Sequence, residues 1–208
     1  MTKIKICGIK TIDEARASWD AGADYLGLLV DLPETNLSMT VNEARRIVSD
    51  CRGLKFIVLT IEKDPKKLVS MITDISPWGV QLLRPTVECV QCLKGTSSKI
   101  ISVVHIVDND SMELAKRFYD SDYLLLDSKI GNHLGGTGKV HNWDISKEII
   151  KNSPIPVFLA GGLNETNVVT AIESLNPYAV DVESSLRNST GFRDIEKIKS
   201  LIKKVRSN

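Results

Sequence analysis

Four short stretches carry the side chains that could do chemistry, and each follows directly on a run of apolar residues. Cys7 closes Lys3-Ile4-Lys5-Ile6-Cys7 and is followed at once by Gly8, which lets the backbone turn and a ligand come close. Asp127 closes Leu124-Leu125-Leu126-Asp127. A thiol and a carboxyl are groups that move protons. Gly161-Gly162, in Ala160-Gly161-Gly162-Leu163-Asn164, stands before a helical pattern, where uncovered N–H groups can face an anion with no side chain in the way. Ser184 and Ser185, after Val180-Asp181-Val182-Glu183, can add hydroxyl donors. Each place also has a plain structural reading: a small core residue for Cys7, a helix cap for Asp127, a tight turn for Gly161-Gly162.

The elements that must position these residues alternate along the whole chain. Eight apolar, β-branched runs occupy residues 3–7, 24–30, 55–60, 79–82, 99–104, 123–127, 156–160 and 179–182. Each is followed by a stretch with apolar residues at helical spacing, as from Ile12 to Trp19 or from Asn164 to Ile172. Strands that are continuously apolar predict a parallel sheet covered on both faces, and eight βα units are the count of a (β/α)8 TIM barrel. A doubly wound open sheet is the alternative. In a barrel the C-terminal ends of the strands converge, so Cys7, Asp127, Gly161-Gly162 and Ser184-Ser185 are expected around one mouth. The loops after strands seven and eight are where this fold commonly holds a phosphate. No Pro/Ser-rich spacer, charge block or low-complexity tract interrupts the rhythm, so a single barrel domain over residues 1–208 is expected. The basic, amphipathic segment from Lys197 to Arg206 reads as the last outer helix, its lysines suited to a helix C-terminus.

Composition excludes other classes. With 208 residues, 42% hydrophobic and 25% charged, the chain can bury a sizeable core. A net charge of +1 gives no sign of a nucleic-acid or membrane partner. The apolar run Tyr25-Leu26-Gly27-Leu28-Leu29-Val30 is far too short to span a bilayer, and Met1-Thr2-Lys3-Ile4-Lys5 lacks the features of a signal peptide, so a cytoplasmic protein is expected. Cys89-Val90-Gln91-Cys92 is half a zinc site at best, and His105, His133 and His141 have no ligand spacing, so no metal is expected. The cysteine pair reads as small residues on the inner face of a helix. Gly135-Gly136-Thr137-Gly138-Lys139 is not a P-loop, because His133 and Val140 stand where that motif needs Gly and Ser or Thr. It reads as a mobile loop after strand six able to cover a ligand, with no nucleoside triphosphate implied.

Several segments, in order, resemble the phosphoribosylanthranilate isomerase family, cofactor-free TIM-barrel enzymes of tryptophan biosynthesis. They are Lys5-Ile6-Cys7-Gly8-Ile9, Ala21-Gly22-Ala23-Asp24, Leu124-Leu125-Leu126-Asp127, Gly135-Gly136-Thr137-Gly138-Lys139, Ala160-Gly161-Gly162-Leu163-Asn164 and Pro177-Tyr178-Ala179-Val180-Asp181-Val182. The resemblance implies an aldose–ketose isomerase, an intramolecular oxidoreductase with no cofactor, acting on a phosphorylated small molecule. The reaction would be the Amadori rearrangement of N-(5-phosphoribosyl)anthranilate to 1-(2-carboxyphenylamino)-1-deoxyribulose 5-phosphate. Asp127 would match the general acid that protonates the ring oxygen, and Cys7 the general base that removes the proton from C2. The phosphate would sit on Gly161, Gly162, Ser184 and Ser185. Such an acid must stay protonated near neutrality while the base ionises, so their environments must differ. A thiol of ordinary pKa ~8.5 needs a positive field, for which Lys5, Lys139 and backbone dipoles are the sources. Monomer and homodimer both stay open, with Leu37 and Met39 as exposed apolar loop residues.

The sequence also departs from that family. After strand two the family has a basic residue for the substrate carboxylate, whereas Pro33-Glu34-Thr35-Asn36-Leu37-Ser38 has no cation. After strand four, Gln81-Leu82-Leu83-Arg84 replaces Gln-Leu-His-Gly, which makes Arg84 the candidate to take over the carboxylate. Strand five lacks the family's lysine, and Glu183 brings a carboxylate toward the expected phosphate unless Arg187 offsets it. A paralogous barrel isomerase for another phosphorylated sugar and a non-catalytic ligand-binding barrel are therefore the alternative functions.

Overall fold

A computed structural model describes residues 1–130, 133–134, 141–188, 191 and 193–207. Its strands are β1 (Lys3–Ile6), β2 (Tyr25–Leu29), β3 (Phe56–Thr60), β4 (Gly79–Leu82), β5 (Lys99–Ile106), β6 (Tyr123–Ile130), β7 (Val157–Leu159) and β8 (Ala179–Val182). They lie in the order β5-β4-β3-β2-β1-β8-β7-β6, all parallel, and pairing of β5 with β6 closes the sheet into a barrel. The open-sheet alternative is thereby excluded. Outside the ring sit α1 (Ile12–Asp20), α2 (Val41–Asp50), α3 (Pro65–Ile75), α4 (Val87–Leu93), α5 (Asp110–Lys116), α6 (Trp143–Asn152), α7 (Val168–Leu175) and α8 (Ile195–Arg206). A two-residue strand, His133–Leu134, pairs back antiparallel on the end of β6.

Strand period sorts the side chains into two cores. Ile4, Ile6, Leu26, Leu28, Phe56 and Val58 face outward and are buried under the helices. Tyr25, Ile57, Ile101, Val103, Leu125 and Phe158 face inward and fill the barrel. The N-terminal end is plugged by Tyr25, Trp78, Tyr123, Phe158 and Tyr178, with ring centroids from 4.7 to 5.8 Å apart. The Tyr25 and Tyr178 hydroxyls hydrogen-bond across the plug at 2.7 Å. Such packing fills the barrel interior at this end, so a ligand inside the barrel would enter from the other end.

Loops at that other end finish in fixed helix starts. Thr11, Thr40 and Thr86 each accept a hydrogen bond from the N–H three residues on, and Thr40 with Glu43 forms a capping box. Asp64, before Pro65 at the first turn of α3, does the same for Lys66 and Lys67. Each cap contributes about 1 kcal/mol and pins the loop that precedes it. On α4 Cys89 is buried and Cys92 partly so, both free thiols, in keeping with small residues on an inner helix face. The basic segment forms α8, with Lys203, Lys204 and Arg206 in its last turn. Among the described residues no helix is long and apolar enough to cross a membrane.

Candidate active site

The C-terminal mouth holds a cavity of about 280 Å³ that brings together Cys7, Asp127, Gly161, Gly162 and Ser184. Leu29, Leu32, Leu37, Leu59 and Leu83 make one end apolar. Four carboxylates, Glu34, Asp127, Asp181 and Glu183, share the lining, which includes no lysine or arginine among the described residues.

Beneath Cys7 the barrel interior is polar. Lys5 points inward because it shares strand parity with Cys7, and it is the cross-strand partner of Asp181 on β8. Its ammonium, fully buried, meets Asp181 Oδ2 at 2.6 Å. Burial alone would push Lys5 down, yet Asp181 and Cys7 beside it hold it above the ordinary lysine value, so it stays charged. Among the described residues, Asp181 Oδ1 and Gln81 Oε1 have no hydrogen-bond partner, and both residues line the cavity. Buried acceptors left open in this way suit ligand hydroxyls.

The acid and the thiol differ sharply from free side chains. Burial raises Asp127 to about 7, and Asp181 adds to the effect, while the Ser128 N–H donating to Oδ1 at 2.7 Å and the charge of Lys5 pull the other way. Asp127 is thus a strand residue bonded to its own neighbour, not a helix cap. Burial pushes the Cys7 thiol up to about 12, since the pull of Lys5 is outweighed and Asp181 and Glu183 work against it. The expected lowering by Lys5 fails first because burial outweighs it, and then because Asp181 and Glu183 oppose it.

The two loops after β7 and β8 present backbone N–H groups that no described acceptor takes. At Gly161 φ is +88°, and a Cβ there would stand 2.7 Å from the Ser128 nitrogen, so only glycine fits. The N–H groups of Gly161, Gly162, Ser184 and Ser185 donate to no described acceptor. Ser184–Leu186 is a single 3₁₀ turn, so its first N–H groups have no partner within it. The Ser185 hydroxyl donates to the Leu163 carbonyl at 2.9 Å, which ties the loops together rather than facing the cavity. Behind Gly161, the Ser128 hydroxyl bonds His141 Nδ1 at 3.0 Å, and His141 Nε2 bonds the Ser146 hydroxyl at 2.6 Å. Burial drives His141 down to about 4, so the ring is neutral at pH 7.

Glu183 does enter the lining, and Arg187 offsets it. Arg187 Nε donates to Glu183 Oε1 at 2.8 Å, and the buried Arg193 adds Nη1 to the Glu183 carbonyl at 2.6 Å. Gly8, with φ +80°, leaves the space for both guanidiniums: a Cβ would lie 2.6 and 2.8 Å from their Nη2 atoms. Arg84 is exposed and not itself in the lining, but its Nη2 lies 3.3 Å from Oε1 of Glu34, which is. Residues 135–139, including Lys139, lie outside the described residues.

Asp181 and Gln81 in the lining, and His141 and Arg193 packed behind it, are brought to the site by the fold. A signal existed for the first, since Lys5 and Asp181 are charges at inward positions of two apolar strands. Arg193 carried none, because its approach to Gly8 is set by tertiary packing.

A family model described as N-(5'phosphoribosyl)anthranilate (PRA) isomerase matches residues 4–204. The chain belongs to the PRA isomerase family. A PRA isomerase from Methanocella arvoryzae is 34% identical over 211 residues, covering 99% of each chain. One from Petrotoga mobilis is 33% identical over 211 residues, covering 100% of this chain and 98% of the relative. The crystal structure of PRA isomerase from Thermotoga maritima superposes with a TM-score of 0.87 at 27% identity over 100% of both chains. A PRA isomerase crystallised with reduced 1-(o-carboxyphenylamino)-1-deoxyribulose 5-phosphate gives a TM-score of 0.84 at 25% identity, again over 100% of both.

Proposed function

We propose that this chain isomerises N-(5-phosphoribosyl)anthranilate to 1-(2-carboxyphenylamino)-1-deoxyribulose 5-phosphate. The observation that carries the reading is one cavity in which a thiol and an elevated carboxyl meet unpartnered loop N–H groups at one side and a leucine-lined end at the other. A phosphorylated sugar bearing an aromatic ring has that same polarity. The phosphate would take the N–H groups of Gly161, Gly162 and Ser184, with Ser185 bracing the loops. The ring would occupy the leucine end, and the sugar hydroxyls would meet Gln81 Oε1 and Asp181 Oδ1.

Asp127 acts as general acid. It gives its proton to the furanose oxygen, the C1–O bond breaks, and the nitrogen lone pair forms a C1=N iminium. Cys7 acts as general base on C2, whose C–H electrons become the C1=C2 bond as the iminium nitrogen is neutralised. Tautomerisation of the enol to the ketone completes the change from aminoaldose to aminoketose. Freshly generated substrate mixed with wild type, Cys7→Ala and Asp127→Asn tests this, with loss of anthranilate fluorescence as readout. Turnover by wild type and a loss of about 10²–10⁴-fold in each variant are expected. A folded wild type with no turnover refutes the substrate, and undiminished variants refute the roles.

A further inference from the structure

The substrate proposed above carries an anion at each end, a phosphate and an aromatic carboxylate, and the inference about the second anion rests on that reading. The phosphate has loop N–H groups to meet it. The carboxylate has nothing comparable, because the described lining contains four carboxylates and no cation. An unpaired carboxylate at the apolar end would lose hydration and gain only repulsion.

Among the described residues, two cations lie on the loops around that end, although neither is in the lining itself. Arg84 is already matched by Glu34 at 3.3 Å. Lys10 lies in the loop after β1, three residues beyond Cys7, and its side chain crosses to the loop after β2. There Nζ donates to the Asn36 carbonyl at 2.9 Å and to the Ser38 carbonyl at 3.4 Å. These carbonyls flank Leu37, which lines the apolar end together with Thr35. The nearby Glu14 carboxylate accepts from the Lys10 main-chain N–H at 2.7 Å, and among the described residues no carboxylate pairs with the ammonium itself.

An ammonium has three protons, and here neutral acceptors hold two of them. The cradle fixes the group in place, and Glu43 on α2, whose carboxylate feels the Lys10 charge, makes no ion pair with it among the described residues. We propose that Lys10 is a specificity-determining residue of this site, its third proton and its charge binding the aromatic carboxylate of the substrate across the loops that follow β1 and β2.

The test uses two ligands, the reduced product analogue and its N-phenyl counterpart lacking the carboxyl group, with wild type, Lys10→Met, Lys10→Arg and Arg84→Met. Wild type should bind the carboxylated ligand about tenfold or more tightly than the other. Lys10→Met should lose that preference while binding the N-phenyl ligand as before, and its KM for the substrate should rise about tenfold with kcat little changed. Lys10→Arg should keep most of the preference. Equal weakening of both ligands in Lys10→Met marks loop support alone and overturns the proposal. So does a preference that survives in Lys10→Met or collapses in Arg84→Met instead. A wild type that neither turns over the substrate nor binds its product analogue is a different result, which removes the underlying function.

Discussion

Replacing Asp127 by Asn should stabilise the protein at alkaline pH while cutting turnover about 10²–10⁴-fold. A carboxyl held at about 7 instead of 3.8 favours its protonated form in the folded chain. Between those two values the native state binds more protons than the unfolded one, so stability falls as pH rises through the window and is lowest above 7. At about 1.4 kcal/mol per pH unit, the ionised carboxyl disfavours folding by about 4 kcal/mol at pH 8. Cavity water screens part of this, so a gain of about 2–4 kcal/mol is expected from Asn. Its Oδ1 still accepts the Ser128 N–H, a bond of 2.7 Å in the wild type, so the comparison isolates the charge. Urea unfolding of both proteins at pH 8 and near pH 4 is the assay. Asn should raise the midpoint clearly at pH 8 and hardly at pH 4, where the wild-type carboxyl is protonated when folded and about half so when unfolded. An equal difference at both pH values would refute the claim that burial elevates this group.

Three further outcomes are expected from the same geometry. Gly161→Ala should cost about 2–4 kcal/mol, from the positive φ and the clash with the Ser128 backbone, seen as a fall of several degrees in Tm together with a raised KM. An unchanged Tm would mean the loop has freedom that its backbone does not suggest. Lys5→Met leaves Asp181 buried without its partner and should lose about 3–5 kcal/mol in denaturant unfolding at pH 7. The kcat/KM of the wild type should fall about tenfold per pH unit above about 7, measured at fixed ionic strength.

The barrel was legible because continuously apolar runs alternate with amphipathic ones, and that pattern has few solutions. Closure was not local information: it lies in the pairing of β5 with β6, where His105 stands in register with Asp127 and Ile106 with Ser128. Those strands run past their apolar stretches because the backbone ladder continues where polar side chains begin. Cys7, Asp127, Gly161, Gly162 and Ser184 could be found because a barrel gives strand ends a meaning, and they do line one cavity. Ser185 and Arg84 illustrate the limit. Sequence supplies the donor, but only the fold reveals that one hydroxyl is spent on Leu163 and that one guanidinium is spent on Glu34. The rise of the thiol was hidden for the same reason: it comes first from burial, which only the fold sets, and then from Asp181 across on β8, whereas the lysine beneath it is visible in Lys5-Ile6-Cys7.

Both titrating groups are raised, and this sets the order of events in the proposed reaction. Asp127, at about 7, holds a proton at neutral pH and can give it to the ring oxygen at once. Cys7, at about 12, begins as a thiol and cannot take a proton from C2 until it ionises. Ring opening changes that balance, because it leaves an iminium cation in the cavity and an ionised Asp127. The cation favours the thiolate, and the new carboxylate is a group that can receive the thiol proton. Acid catalysis therefore precedes base catalysis, and the competent resting form carries both protons. Such a form is lost when Asp127 ionises, which is why the rate should fall above about 7. If catalysis instead required a resting thiolate beside a protonated Asp127, the singly protonated enzyme would be the active one, and the profile would stay level from about 7 up to about 12. A flat alkaline limb would thus overturn the acid-first order while leaving both residues in place.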